Sequence, residues 1–180
     1  MATFSSFHET RSRLEKLIAD TEAPRWRLGL EDFLQHWWAE VIGDLDAAMA
    51  AFESDVVFRT YGSMGTSEEF TLEQRKAVYQ AIQDAGMCAG GSWDNERFYF
   101  GDAGISMDAT WTFVHYGAML ADHPEPVDPG ALYLVQRPLN LQLPLTEEGH
   151  LVGEILYAGH PSLVEPIDPA RKDDLLGSLK

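Results

Sequence analysis

The sequence contains a single cysteine, Cys88, among 180 residues. A disulfide bond within the chain is therefore excluded, and so is a zinc site built from several cysteines. No apolar run approaches the roughly 20 residues that a membrane-spanning helix needs, and residues 1–17 lack the apolar stretch of a signal peptide. These absences predict a cytoplasmic protein.

Basic residues are also scarce, because 13 Lys and Arg face 29 Asp and Glu, which gives a formal net charge of −16. Such a surface repels phosphate backbones and anionic lipid headgroups. We therefore expect neither nucleic acid nor a membrane surface as a partner, and a small hydrophobic or aromatic molecule fits better. The length predicts one domain, and 45% hydrophobic and 23% charged residues are ordinary globular values.

Several motifs of established chemistry are missing. No Gly-x-Ser-x-Gly nucleophile elbow occurs, and the glycine-rich segment 85–91 lacks the spacing of a phosphate-binding loop. His36 and Glu40 are four residues apart and are expected to meet on one helix face, but they do not form the His-Glu-x-x-His zinc pattern. The sequence therefore predicts no metal site.

The apolar periodicity predicts helices first and long strands afterwards. Asp44 and Thr71 are suitable helix N-caps, and Gly43 is expected to end a helix. Pro138 is expected to bend its strand or to form a bulge in it. Helices are expected at residues 9–20, 24–43, 45–52 and from 72, and strands at 54–61, 93–100, 105–116, 131–145 and 151–158. Residues 62–70 and 121–130 are predicted loops, and the tail from residue 160 is helical at most. This order indicates an α+β fold.

Two segments carry a family resemblance: Gly-Asp-Leu-Asp at 43–46 leading to Phe-Glu-Ser-Asp-Val-Val-Phe at 52–58, and Gly-His-Leu-Val-Gly-Glu at 149–154. Together with the order of elements, they resemble the nuclear transport factor 2-like superfamily, which includes ketosteroid isomerases, scytalone dehydratases and SnoaL-like polyketide cyclases. The resemblance covers residues 30–159. We divide the chain into an N-terminal helical extension (1–24), the domain (25–160) and a C-terminal tail (161–180).

The resemblance implies a curved antiparallel sheet wrapped around N-terminal helices to form a conical barrel. It also implies a deep pocket, no obligatory cofactor, and a homodimer or higher homo-oligomer. The positions of the ketosteroid isomerase residues fall on His36, on Thr60 or Arg59, and near Leu141. Isomerase chemistry on steroids is therefore not expected.

Glu154 is the foremost catalytic candidate. It shares a strand face with Val152 and Leu156, and at that position the related enzymes carry an apolar pocket residue. A desolvated carboxylate there is expected to have a raised pKa, suited to general acid–base work. His36 is the expected helper. The alternative is an edge or interface glutamate that faces water.

Arg59 and Tyr61 are further catalytic candidates, which would stabilise oxygen charge if they pointed inward. Both faces of strand 54–61 are partly apolar, so the inward face stays open. Candidate substrate-binding residues come from the aromatic and polar positions of the second helix and the later strands. They are Trp37, Trp93, Tyr99, Trp111, His115, Tyr133 and Asn140.

These residues and the resemblance predict a cofactor-independent lyase or isomerase for a hydrophobic, hydroxylated aromatic substrate. Formaldehyde release by retro-aldol cleavage, or dehydration, in the catabolism of lignin-type aromatics is the specific hypothesis. Two alternatives stay open: a non-catalytic binding or partner subunit, and a water-activating hydrolase of the epoxide hydrolase type.

Overall fold

The structure, a computed structural model, describes residues 5–62, 67–120, 126–168 and 170. Within these ranges the helices are α1 (Phe7–Asp20), α2 (Pro24–Ile42), α3 (Leu45–Met49) and α4 (Leu72–Asp84), with a 3₁₀ turn at Gly117–Met119. The strands are β1 (Phe52–Tyr61), β2 (Ser67–Thr71), β3 (Ser92–Gly101), β4 (Gly104–Tyr116), β5 (Leu132–Pro144), β6 (Leu151–Ala158) and β7 (Leu163–Ile167). The predicted loop 121–130 lies partly outside the described residues.

Local capping chemistry sets the helix boundaries. Gly43 ends α2 in the left-handed conformation at φ 85°, which glycine adopts without steric penalty. The Asp44 side chain then accepts a hydrogen bond from the backbone N–H of Ala47 and caps α3. Thr71 and Gln74 form a capping box at the start of α4. The predicted boundaries at Gly43, Asp44 and Thr71 are confirmed.

The strands form one curved, mixed sheet in the order β2-β1-β6-β5-β4-β3, and β7 pairs with β5. The β1–β6 pair is parallel and the other pairs are antiparallel, so the sheet is not purely antiparallel as predicted. The loop prediction for residues 62–70 is wrong in part, because Ser67–Thr71 pairs with β1. The tail prediction is also wrong, because Leu163–Ile167 pairs with residues 132–136 of β5.

Pro138 marks the point where β5 changes partner. Residues 132–136 of β5 pair with β7, and residues 139–142 pair with β6. Proline has no N–H to donate to a ladder, and its carbonyl accepts a hydrogen bond from Gly159 N–H at 2.9 Å. The β4–β5 register runs through Pro138 without interruption, so the predicted irregularity is a change of neighbour and not a bulge against β4.

A true bulge lies in β3 at Asn95, which has φ 59°. The β3–β4 register shifts between Asp94 and Arg97. An extra residue in one strand reverses which side chains face inward beyond it. Trp93 is consequently buried before the bulge, whereas Tyr99 is 50% exposed after it.

The core lies between the helices and the concave face of the sheet. Phe33 stacks on Trp93 with ring centroids 5.3 Å apart, and Trp37 lies 4.7 Å from the same ring. Trp37 Nε1 donates to the carbonyl of Gly91 at 2.8 Å, so its polar edge is satisfied within the core. No helix among the described residues has the length and apolar character needed to cross a membrane.

The turn before β6 depends on Gly149. Gly149 has φ 115°, and a Cβ there would lie 2.4 Å from the carbonyl oxygen of Arg25. Gly149→Ala is expected to destabilise the fold by about 2–4 kcal/mol, because strain and a backbone clash add. The measurement is the midpoint of urea unfolding.

Gly101→Ala is the matched control, because a Cβ at Gly101 meets nothing within 4 Å. Its unfolding midpoint should stay close to that of the wild type. Equal midpoints for the two variants would contradict the strain assigned to the turn at Gly149.

Candidate active site

A cavity of about 470 Å³ lies between α2, α4 and the concave face of the sheet. Its volume is typical of small-molecule sites. Aromatic and aliphatic side chains form most of its wall, among them Phe33, Trp37, Trp93, Trp111, Leu139 and Leu156. Polar side chains also reach this wall, and five of them form a connected cluster: His36, Glu40, Arg75, Tyr79 and Glu154.

His36 lies at the back of this cluster and is fully buried. Its Nδ1–H donates to the carbonyl of Ala48 at 2.9 Å, which fixes the ring orientation. Its Nε2 lies 3.1 Å from Glu40 Oε1 and 3.5 Å from Glu154 Oε2. Neither contact meets the full geometry of a hydrogen bond, and His36 lies beside two carboxylates at once.

Glu154 connects β6 to α4 through Arg75. Arg75 Nη2 lies 3.5 Å from Glu154 Oε1, and both side chains are largely buried. Glu154 therefore has a cation beside each of its oxygens, His36 at one and Arg75 at the other. Glu40 and Glu154 are each only slightly exposed, at 7% and 6%, so only small parts of them are open to the cavity.

Tyr79 lies one helical turn after Arg75 on α4. Its hydroxyl oxygen accepts a hydrogen bond from Arg75 Nε at 3.0 Å. Burial raises the pKa of Tyr79 well above its usual value, against the opposing effect of the Arg75 charge. The group is thus a neutral phenol, and the neighbouring Glu40 carboxylate also favours retention of its proton.

The charges in this cluster determine which groups are ionised. Burial alone would lower the pKa of His36, but Glu40 and Glu154 overcome it and raise that pKa to about 10. Burial would likewise raise the pKa of Glu154, yet His36 and Arg75 hold it below its usual value. His36 is therefore an imidazolium and Glu154 a carboxylate at neutral pH.

The raised pKa predicted for Glu154 is accordingly wrong, although the predicted burial is right. The prediction considered desolvation alone, and two cations from other elements outweigh it. The expected meeting of His36 with Glu40 on one helix face does occur. The four-residue spacing of His36 and Glu40 did not indicate that β6 also places Glu154 beside Nε2 of His36.

Arg59 and Tyr61 lie on the opposite face of β1 from the cavity. Arg59 Nε donates to Glu69 on β2 at 2.8 Å and is substantially exposed. Tyr61 stacks on Tyr157 with ring centroids 4.7 Å apart. Thr60, from the other face, lines the cavity instead. An inward position for Arg59 or Tyr61 is therefore wrong, because neighbouring strands engage both side chains on the outer face.

The predicted substrate-binding residues divide into two groups. Trp37, Trp93, Trp111 and His115 line the cavity, whereas Tyr99, Tyr133 and Asn140 do not. The bulge at Asn95 turns Tyr99 outward. The Tyr133 hydroxyl accepts from Asp128 N–H at 3.0 Å within a separate small cluster. Asn140 alternates with the inward Leu139 and Leu141 and donates to Asp108 at 2.8 Å.

Sequence reasoning missed Arg75 and Tyr79. Arg75 follows the apolar Leu72 by three residues and precedes Tyr79 by four, so it lies on the stripe that faces the core. A basic residue on an apolar helix face was the available signal. Among the described residues, no three or more His, Cys, Asp or Glu side chains are grouped so as to hold a metal ion.

Comparisons with solved structures agree with this architecture. A candidate SnoaL-like polyketide cyclase from Shewanella denitrificans OS-217 is similar at a TM-score of 0.55 and 12% identity, over 72% of this chain and 89% of that one. Another from Shewanella putrefaciens CN-32 gives a TM-score of 0.54 and 11% identity, over 72% and 88%. The chain therefore has the nuclear transport factor 2-like fold. No protein-family model and no curated protein matches the sequence.

Two cavity histidines are held in opposite protonation states, which nuclear magnetic resonance can measure. The pKa of His36 is raised to about 10 by Glu40 and Glu154 against the effect of burial. The pKa of His115 is lowered to about 4 by burial and by Arg137. In a ¹⁵N titration at pH 5–9, His36 should show both ring nitrogens protonated and His115 should show a neutral ring.

The signals are assigned with the variants His36→Gln and His115→Gln, because the ring signals of the replaced histidine are absent from each variant. Loss of the His36 proton between pH 6 and 7, as in an unperturbed imidazole, would contradict the electrostatics described for the cluster.

Proposed function

We propose that the protein is a cofactor-independent enzyme that moves protons within a small, hydrophobic, hydroxylated aromatic molecule, as an isomerase, cyclase or lyase. One observation carries this proposal: an ionised carboxylate, Glu154, lies beside Arg75 in a cavity whose remaining wall is mostly apolar and aromatic. A flat apolar ligand fits such walls, and the charged end supplies acid–base chemistry.

In this proposal Glu154 is the general base. Since His36 and Arg75 lower its pKa, it is a weaker base than an isolated buried carboxylate. The substrate proton must therefore be made acidic by contacts at a neighbouring oxygen. Arg75 and Tyr79 supply these contacts, because a cation and a neutral phenol both stabilise negative charge that develops on oxygen.

His36 acts as a positioning residue and not as the proton carrier. It is fully buried behind the two carboxylates, and its charge keeps Glu154 ionised before the substrate binds. Proton return from Glu154 to a different carbon completes an isomerisation. In a cyclisation the carbanion instead attacks a carbonyl carbon of the same molecule, the ring carbon–carbon bond forms, and Glu154 returns the proton to the alkoxide oxygen. Proton delivery to a leaving hydroxyl completes a dehydration, in which the carbon–oxygen bond breaks and water leaves.

The finer form of the proposal is a retro-aldol lyase acting on lignin-type aromatics. Glu154 takes the proton from a primary hydroxyl, the adjacent carbon–carbon bond breaks, and formaldehyde leaves. The released electron pair is delocalised to an electron-withdrawing oxygen of the substrate beside Arg75, until the proton returns to carbon. The apolar aromatic walls formed by Trp37, Trp93 and Trp111 support an aryl substrate of this kind.

Glu154→Gln tests the proposal with a nearly isosteric change. We expect kcat to fall by about 10²- to 10⁴-fold, because an amide cannot accept the proton. The assay screens aryl β-hydroxy ketones, including 1,2-diaryl-3-hydroxypropan-1-ones, whose carbonyl oxygen can take up the electron pair released by carbon–carbon cleavage. It measures deuterium incorporation from D₂O, release of formaldehyde and loss of water.

Glu69→Gln is the control, because Glu69 pairs with Arg59 on the outer face of β1. Loss of the Glu69 charge should therefore leave turnover unchanged. If Glu154→Gln retained the wild-type turnover, Glu154 could not be the general base. Incorporation of ¹⁸O from labelled water into the product would indicate a hydrolase instead. Binding without any turnover across the panel would indicate a non-catalytic binding protein.

A further inference from the structure

The inward face of β1 places a hydroxyl group at the cavity. Val56 and Phe58 are buried on this face, and Thr60 follows two residues later. Among the described residues of β1, Thr60 alone lines the cavity. Arg59 and Tyr61 alternate with it and make their contacts on the outer face. Thr60 therefore interrupts an apolar strand face at a point where a ligand would touch the sheet.

The hydroxyl of Thr60 lacks a hydrogen-bond partner. Its Oγ1 is buried and makes no hydrogen bond within the described part of the chain. Leu156 of β6 lies opposite Thr60, and Leu141 of β5 lies opposite Leu156, so the sheet presents hydrocarbon beside the hydroxyl. An unpaired buried polar atom is unfavourable, and most such atoms in native proteins are paired with protein, water or ligand. A polar ligand group in the cavity would supply the pairing.

A side-chain rotation is enough to bring this hydroxyl to the cavity. Oγ1 itself is shielded, whereas Thr60 as a whole is half-buried. Rotation about χ1 moves a threonine hydroxyl between staggered positions, so a ligand that offers a hydrogen bond can draw the oxygen to the cavity surface. The backbone of β1 can stay paired with β2 and β6 during this rotation.

The charges around Thr60 determine which ligand group it can bind. Glu68 of β2 lies opposite Thr60 and also lines the cavity. Glu154 lies diagonally across from Thr60 on β6, with Cα atoms roughly 8 Å apart at the usual strand spacing and rise. Arg75, the cation on this side, is already paired with Glu154. Two carboxylates disfavour an anionic group here, whereas a neutral hydroxyl can both donate and accept a hydrogen bond.

We propose that Thr60 is a specificity-determining residue, which binds a neutral hydroxyl group of the ligand beside the group on which Glu154 acts. The ligand therefore carries a second hydroxyl close to the reacting one, as in a 1,2- or 1,3-diol attached to an aromatic ring. Thr60 holds the hydroxyl that does not react. The position of the reacting group rests on the proposed function, whereas the hydrogen bond to Thr60 does not.

Two probes that differ by one hydroxyl test this hydrogen bond without turnover. Hydrobenzoin carries two neighbouring hydroxyls between two phenyl rings, and 1,2-diphenylethanol lacks one of them. Isothermal titration calorimetry on the full chain should show at least one stereoisomer of hydrobenzoin binding about three- to tenfold more tightly, as expected for one neutral hydrogen bond. Thr60→Val removes the hydroxyl with little change of shape and should reduce this ratio to below about twofold.

Thr60→Ser is the matched control, because it keeps the hydroxyl and should retain the preference for hydrobenzoin. Glu69→Gln, on the outer face, should retain it as well. Equal affinity of the wild type for 1,2-diphenylethanol and every stereoisomer of hydrobenzoin would overturn the proposal. So would a preference that Thr60→Val leaves intact, because the second hydroxyl would then bind elsewhere in the cavity.

The outcome is separable from that of the proposed function. Loss of turnover in Glu154→Gln without any preference for hydrobenzoin would overturn this inference and leave the proposed function standing. A preference that depends on Thr60, together with full turnover in Glu154→Gln, would support this inference and overturn the assigned base.

A measurement on the wild type covers variants that fail to fold. Hydrobenzoin should shift the ¹H and ¹³C resonances of the Thr60 methyl group, because the methyl moves when χ1 rotates, and 1,2-diphenylethanol should shift them less. Equal shifts with the two probes at saturating concentration would overturn the proposal, whatever the variants show.

Discussion

The arrangement of this molecule depends on the balance of buried charge around His36. Two carboxylates, Glu40 and Glu154, meet two cations, His36 and Arg75, in a space with little access to water. Burial of any one of these charges alone would be strongly unfavourable, since each would lose its hydration without a partner. The four charges together tie α2, α4 and β6 to a single geometry, and the cavity opens beside them.

This balance also determines what chemistry the cavity can support. An isolated carboxylate in an apolar pocket would be a strong base that is mostly protonated. Glu154 is instead kept ionised by the neighbouring His36 and Arg75. It can therefore accept a proton, but its lowered pKa makes it a weak base. Arg75 is shared between Glu154 and Tyr79, so in the proposed function a substrate oxygen is stabilised next to the base. The proposed reaction therefore depends on activation of the substrate more than on the basicity of Glu154.

The sequence predicted the α+β order, most helix ends and the burial of Glu154, because these follow from local signals such as Asp44, Thr71 and apolar alternation. It did not predict which face of β1 points inward, since both faces carry apolar residues. The contacts of Arg59 with Glu69 and of Tyr61 with Tyr157, which identify the outer face, involve strands distant in the sequence. Tyr99 was misplaced because one bulge residue, Asn95, reverses the alternation. Arg75 and Tyr79 were missed because their role arises from contact with β6, distant in the sequence.

The width of the cavity depends on a segment whose glycines resemble no ligand-binding motif. Gly91 accepts the hydrogen bond from Trp37 on α2, and a Cβ at Gly91 would lie 2.0 Å from Nε1 of Trp111 on β4. At Gly90 a Cβ would lie 3.1 Å from a methyl group of Val41, a closer approach than usual, and at an ordinary contact distance of 3.6 Å from a carboxylate oxygen of Glu40. Any side chain at position 91 would displace a tryptophan, since a clash with an indole ring cannot be relieved by a small rotation. The absence of a side chain at Gly91 therefore lets the backbone between Trp37 and Trp111 lie close to both aromatic rings.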